Sequence, residues 1–334
     1  MKVVKQNKMK YMITGSTGFI GGALARKLLE RGNDLNATVR SPKMAESLRK
    51  MGVNIFKGDI TEKETLYEPM REVDGVFHVA AWYKVGARDK SKAERINVEG
   101  TRNVLEVMKK LSIPKGVYTS TLAVFSDTAG RTVNEGYRYE GDHISEYDRT
   151  KWKAHYEVAL PMMKQGLPLV IVQPGVVYGP GDENLSGRMI DRYLKKDLPL
   201  LPKGTAWCWA HVDDIAEGHI MAMENGRKGE SYIIAGEEHS VGEAMEIAER
   251  ITGIKPPKIK ASPWMLRLSS ILMVPVSSVF DLPSFYRPET LRVSAGVTYL
   301  GSNKKARKEL GYSPRTLQEG FRDFLPERMR ELDL

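Results

Sequence analysis

Short apolar runs alternate with stretches whose apolar residues recur at helical spacing, and this rhythm continues up to Pro174. The runs predict strands at 10–14, 35–39, 53–57, 74–80, 115–120 and 168–174. The helical spacing predicts helices at 18–31, 42–51, 62–71, 92–112 and 144–165. Strands and helices in strict alternation, joined by short links, specify an α/β chain with a parallel, doubly wound sheet. Beyond Pro174 the rhythm breaks. Pro180, Gly181, Pro199 and Pro202 punctuate a looser stretch, a helix begins near Asp213 and Asp214, and a strand lies at Ser231–Ile234. The expected division is a sheet domain over 9–175, to which 211–235 returns, and a smaller interleaved lobe, mainly helical, over 176–210 and 236–334. Residues 1–8 read as a disordered basic extension.

Between the first strand and the first helix lies Thr14-Gly15-Ser16-Thr17-Gly18-Phe19-Ile20-Gly21-Gly22. Strand, glycine turn and helix are what a dinucleotide-binding Rossmann fold needs. One glycine makes the turn, one lets a pyrophosphate reach backbone N–H groups, and one lets the helix pack on the sheet. The second strand then bears on the choice of dinucleotide. NAD-selective sites end it with an acid for the ribose 2′-OH. Here it ends Val39-Arg40-Ser41-Pro42-Lys43, where the Arg40 fork suits a 2′-phosphate. NADP is therefore the expected cofactor, with NAD as the alternative.

Tyr147 and Lys151 stand four residues apart within a predicted helix, so they share a face. A phenol ordinarily titrates near pH ~10. An adjacent ammonium would lower that value and make the tyrosine a usable acid or base.

Composition narrows the class. The 334 residues suffice for a large core, and the single cysteine, Cys208, excludes an internal disulfide framework and suits a reducing, cytoplasmic setting. No apolar run reaches the ~20 residues of a membrane span. The net charge of +9 is scattered rather than gathered into an aromatic-interleaved stripe, which argues against nucleic acid. The six histidines and one cysteine show no metal-ligand spacing, so no metal is expected. His78, between Phe77 and Val79, reads as a satisfied core histidine, and His211 as ordering a turn capped by Asp213. The apolar stretch Trp264–Met273, interrupted by Arg267 and followed by Pro275, is expected to pack within the smaller lobe rather than to lie on a membrane.

Taken in order, these motifs resemble the extended short-chain dehydrogenases/reductases of the NAD-dependent epimerase/dehydratase superfamily, from about Lys10 to Arg322. The others that carry the resemblance are Gly58-Asp59-Ile60, His78-Val79-Ala80-Ala81, Asn97–Thr101, Thr119-Ser120-Thr121, Gln173–Gly181 and His211–Asp214. Within the superfamily the chain is most similar to the dihydroflavonol-4-reductase-like group, which includes members called hopanoid-associated sugar epimerases. The resemblance implies Tyr147 as the proton-exchanging group, Lys151 as the ribose-binding residue that lowers its pKa, and Thr121 as a hydrogen-bond donor to the substrate oxygen. It implies cofactor contacts at Gly15, Thr17, Gly18, Phe19, Ile20, Gly21, Arg40, Asp59, Ile60, Ala80, Ala81, Lys151, Pro174 and Val177. Tyr83, Ser120, Trp207 and Arg292 are the expected substrate contacts, Asn97 a supporting residue, and a homodimer through helices 92–112 and 144–165 the expected assembly.

Departures from the family pattern narrow the chemistry. Dehydratases follow the active-site threonine with Asp-Glu; here Leu122 and Ala123 follow Thr121. Many nucleotide-sugar epimerases carry a diphosphate-gripping arginine where this chain has Trp207, beside Trp209, and the two indoles suit an apolar substrate. Arg292 stands near where such enzymes keep a second arginine. The expected function is an NADP(H)-dependent oxidoreductase acting on the carbonyl or alcohol of a small, partly apolar molecule. The alternatives are a sugar or nucleotide-sugar epimerase that retains its cofactor, and a non-catalytic NADP-binding regulator.

Overall fold

A computed structural model of the chain describes residues 8–334, so the expected N-terminal extension, Lys8 excepted, lies outside the described residues. Lys8 itself pairs with Asp34 at 2.8 Å. The chain opens with β1 (Lys10–Thr14), α1 (Phe19–Glu30), β2 (Asp34–Val39), α2 (Glu46–Lys50), β3 (Asn54–Lys57) and β4 (Gly75–His78). α3 (Ser91–Glu94) joins α4 (Gly100–Lys110) through a π-type stretch at Arg95–Glu99, and β5 (Gly116–Thr119) follows. α5 (Glu146–Lys153) runs through a second π-type stretch, Ala154–Ala159, into α6 (Leu160–Lys164) and then β6 (Leu169–Pro174).

The second half carries β7 (Val176–Tyr178), α7 (Leu185–Leu194), β8 (Leu201–Pro202), β9 (Ala206–His211), α8 (Val212–Asn225) and β10 (Ser231–Ile234). After these come β11 (Glu237–Ser240), α9 (Val241–Thr252), β12 (Lys260–Ala261), α10 (Pro263–Val279) and α11 (Pro288–Val293). β13 (Thr298–Tyr299), α12 (Lys304–Leu310) and α13 (Leu317–Glu331) close the chain.

Seven parallel strands form the main sheet in the order β10-β6-β5-β4-β1-β2-β3. β5 and β6 are buried along their whole length, as strands covered on both faces must be. α1 and α8 cover one face through Leu24, Leu28, Ile215 and Ile220; α4 and the Ala154–Ala159 turn cover the other through Val104, Leu105 and Val158. The expected doubly wound Rossmann sheet is therefore present.

Two expectations change in detail. Over 62–71 the chain makes only a 3₁₀ turn at Lys63–Leu66. Leu66 and Met70 have helical spacing and are both buried, but Pro69 lies between them, and its carbonyl accepts from Asn36 Nδ2 at 2.9 Å instead of a helical N–H. The smaller lobe contains, besides its helices, a second sheet in which β9 pairs with β7, β11 and β13. β9 is buried on both faces from Trp207 to His211, so it shows none of the alternation that marks a half-exposed strand.

α10 also departs from expectation. It runs through Pro275, with Ser277 Oγ and Ser278 Oγ donating to the carbonyls of Val274 and Pro275 at 2.8 and 2.6 Å. One side of it packs as expected, Leu266 meeting Ala261 and Ala295, but Leu266 and Ser270 are its only buried residues and much of its apolar surface is outward.

Candidate active site

β1 lies between β2 and β4, so the strand order reverses there and the carboxyl ends of β1 and β4 flank a crevice. The glycine turn falls at that point. Gly15 takes φ +77°, and a Cβ on it would stand 2.7 Å from Ala80 N, with no room to move. A Cβ on Gly21 would collide with the Gly15 carbonyl oxygen, to which Gly18 N already donates at 2.9 Å. The turn is thus held between the backbone after β4 and the first turn of α1, whose N–H groups point toward any anion placed there.

A cavity of about 630 Å³ opens from this turn. Gly15, Thr17, Gly18, Phe19, Ile20, Gly21, Arg40, Asp59, Ile60, Ala80 and Ala81 line it, as do Pro174 and Val177. So do Thr121, Tyr147 and Lys151, and the expected substrate contacts Tyr83, Ser120 and Trp207. Arg292 does not. It lies on α11 with its Nε donating to Ile144 O at 3.4 Å, and its helical neighbour Val293 faces the cavity. Trp209, the second indole expected at the substrate, instead packs in the core against Tyr178 and Phe321, its Nε1 donating to His239 O at 3.0 Å.

The residues present fit a dinucleotide. The glycine turn leaves a cradle that any side chain would fill, and Thr38 Oγ1, buried at the end of β2, has no hydrogen-bond partner. Arg40, exposed two residues on, has no ion-pair partner among the described residues. Asp59 is fixed by Thr61, whose N and Oγ1 both lie 2.9 Å from its Oδ1.

Around the tyrosine, burial dominates. Desolvation pushes the Tyr147 phenol well above its ordinary value, and a hydrogen bond with Thr121 opposes this only in part. Tyr83 meets the Tyr147 ring edge-on, centroids 4.7 Å apart. The expected phenol–ammonium contact is not formed. Lys151 Nζ donates instead to Thr119 O at 2.8 Å and Tyr118 OH at 3.1 Å, and lies 4.7 Å from the Tyr118 ring centre. Burial lowers its ammonium to about 7. The lysine is bonded to β5 and not to the phenol, and desolvation raises the phenol instead of the ammonium lowering it.

The supporting groups are buried and satisfied. Asn97 joins the loop after β4 to α5: Trp82 N donates to its Oδ1 at 2.7 Å, and its Nδ2 reaches Trp82 O and Thr150 Oγ1 at 3.1 and 2.9 Å. His78 lies between Thr14 Oγ1 at 2.8 Å and Thr101 Oγ1 at 3.0 Å, and burial lowers it to about 3, which leaves it a neutral core residue. His211, and not Asp213, caps α8, its Nδ1 accepting from Asp213 N at 3.2 Å.

Several residues at the site went unread in the sequence. Ser120 Oγ is bound to His155 Nδ1 at 2.8 Å, and burial lowers that imidazole to about 3, keeping it neutral. Asp148 is buried beside Tyr147; Ser145 Oγ donates to its Oδ1 at 2.7 Å and Tyr299 OH to its Oδ2 at 2.9 Å. Burial raises its carboxyl to about 7 against these hydrogen bonds. Glu289, on α11 and 3% exposed, accepts from Gly86 N at 2.5 Å, Glu146 N at 2.6 Å and Lys90 Nζ at 3.2 Å. One signal was available: Ser145 three residues before Asp148 has the spacing of an N-cap, and Ser145 Oγ does accept from Asp148 N at 3.1 Å.

Sheet order, glycine turn and the Thr121–Tyr147–Lys151 grouping define a dinucleotide-binding α/β protein. Residues 11–235 match the model of the NAD dependent epimerase/dehydratase family. The chain belongs to that family, as an extended short-chain dehydrogenase/reductase. It is 30% identical over 94% of its length to a Synechocystis sp. protein that bears the dihydroflavonol 4-reductase name, covering 92% of that protein. A second relative is the 4-hydroxy-2-methyl-3-oxo-4-farnesyl-3,4-dihydroquinoline-1-oxide ketoreductase of Stigmatella aurantiaca, 30% identical over 94% of this chain and 95% of that protein. Among solved structures, that of gox2253 superposes with a TM-score of 0.84 at 31% identity, covering 97% of this chain and 99% of that one.

Proposed function

We propose that the protein reduces a ketone or aldehyde, carried on an apolar scaffold, with NADPH, or oxidises the corresponding alcohol with NADP. The observation that carries this reading is the make-up of the cavity wall. Tyr147 and Thr121 share it with Leu122, Ala123, Trp207 and Val293, and Arg40 is the only arginine in it among the described residues. Lys84 and Lys92 also line the cavity, but a nucleotide-sugar diphosphate has no arginine fork to grip beyond the one at the dinucleotide end. Trp207 is 5% exposed and its indole N–H is unpaired, which leaves a donor for a polar group on an otherwise apolar substrate. The Stigmatella relative is named for a farnesyl-bearing ketone, which has this combination of one reactive carbonyl and a large apolar remainder.

In this reading the glycine turn and Lys151 hold the dinucleotide, and Arg40 selects its 2′-phosphate. A nicotinamide held there would supply the hydride that a carbonyl reduction needs. Tyr147 gives its proton to the carbonyl oxygen, and Thr121 hydrogen-bonds that oxygen as charge develops on it. Leu122 and Ala123 bring no acid for elimination, so the redox step stands alone.

The test is NADPH oxidation by purified protein against a panel of aliphatic, aromatic and isoprenoid ketones. Net oxidation is expected with the apolar members, with kcat lowered about 10²-fold or more by Tyr147→Phe. Cofactor that co-purifies and never turns over net would favour epimerisation. Cofactor binding without any turnover, unaltered by Tyr147→Phe, would favour a regulator.

A further inference from the structure

α10 has its amphipathic pattern reversed. The stripe turned toward the protein carries Leu266, Ser269, Ser270, Met273 and Ser277, all buried or half-buried. Solvent instead meets Trp264 at 66% exposure, Ile271 at 67%, Leu272 at 62% and Val279 at 71%, with Leu268 and Val276 between them. A water-facing helix normally presents its serines outward. Contiguous exposed apolar surface of this kind marks a contact surface.

The surrounding charge indicates which contact. From Ile251 to Phe280 the chain contains Lys255, Lys258, Lys260 and Arg267, all exposed, and no aspartate or glutamate. β12, which carries Lys260, is fixed to β8 just before the helix, so Lys260 is held at its start, and Arg267 stands on the helix itself. A second copy of the chain is a poor occupant, since a two-fold contact would set Lys255, Lys258, Lys260 and Arg267 against their own copies. Apolar side chains, a tryptophan at one end and flanking lysines are the features of helices that lie in the plane of a lipid surface.

We infer that α10 is an interfacial docking helix for an anionic phospholipid bilayer, lying in the headgroup boundary without crossing it. No helix of the described residues is long and apolar enough to cross a membrane. The docked helix adjoins the mouth of the cavity. Arg88 Nη2 donates to Ser278 O at 3.1 Å near the end of α10, and Arg88 belongs to the loop whose Tyr83, Lys84 and Val85 line that cavity. The same surface that binds lipid therefore brings the cavity mouth to it.

The inference is independent of the reductase reading, because lipid binding is read without turnover. The full chain is floated with vesicles of phosphatidylcholine alone or mixed with phosphatidylglycerol, and Trp264 emission is followed. Recovery with the mixed vesicles is expected to exceed that with neutral vesicles about tenfold and to fall with added salt. The triple variants Leu268→Ser/Ile271→Ser/Leu272→Ser and Lys258→Glu/Lys260→Glu/Arg267→Glu should each lose about tenfold of that binding. Both alter exposed positions only, and an unchanged melting temperature shows that each is folded. Failure to float with either vesicle overturns the proposal, as does flotation that the serine variant leaves intact. So does light scattering that shows a dimer which the serine variant dissolves, since a second copy would then cover the face.

Discussion

Tyr147 and Lys151 are both desolvated, and desolvation disfavours the charged form of each. The sequence offers their spacing; the structure sends the ammonium to Thr119 O and leaves the phenol to Thr121. Asp148 shows the same physics as a stability term. Its carboxyl sits at about 7 against an ordinary 3.8, so between those values the native state keeps a proton that the unfolded chain has released. Stability contributed by this group therefore falls as pH rises from about 4 to about 7 and is level above that. Asp148→Asn should remove this slope. Its melting temperature relative to wild type should climb across the window by the equivalent of on the order of 2–4 kcal/mol. A constant difference from pH 4 to 8 in thermal scans would refute the assignment. Arg40 gives a second residue-scale expectation. Arg40→Ala should weaken NADPH about tenfold or more while leaving NADH within about twofold, by fluorescence titration. Equal weakening of the two would sink the preference for NADP.

The glycine turn is an element-scale device, because its geometry belongs jointly to β1, α1 and the backbone after β4. Gly15→Ala adds a Cβ at φ +77° against Ala80 N, and neither backbone can retreat. It should destabilise the fold by about 1–3 kcal/mol and abolish the NADPH-induced rise in melting temperature. An unchanged ligand shift would contradict the cradle described here. This turn was legible because local rules make it: a buried strand, glycines where backbones approach, and a helix with 3.6-residue spacing. The same holds for all six expected strands of the first half. What stayed illegible depends on contacts remote in sequence. Tyr299 reaches Asp148 across 151 positions, and no local pattern announces that. Arg292 was misplaced because one helical step decides whether it or Val293 faces the cavity. Trp207 and Trp209 looked equivalent, yet one lines the cavity and the other fills the core. The outward apolar face of α10 was not legible, because apolar residues at helical spacing ordinarily imply a packed face, and only the Leu266 side of this helix is packed.

At the scale of the molecule, the cavity is walled by both parts of the chain. The first half of the chain supplies the glycine turn, Thr121, Tyr147 and Lys151; Trp207, Val293 and Tyr299 come from the second. Glu289 ties the two together, one carboxylate holding the loop at Gly86 and the first turn of α5 at Glu146 N. That bond bears on how such proteins can diversify. A lobe transplanted from a relative would have to bring a carboxylate to this same point, or the helix carrying Tyr147 would lose an acceptor at its start. Chimeras that exchange whole lobes are thus poor routes to new specificity. Substitution at single positions of the wall, Trp207 and Val293 first, leaves the joint intact and is the route the architecture keeps open.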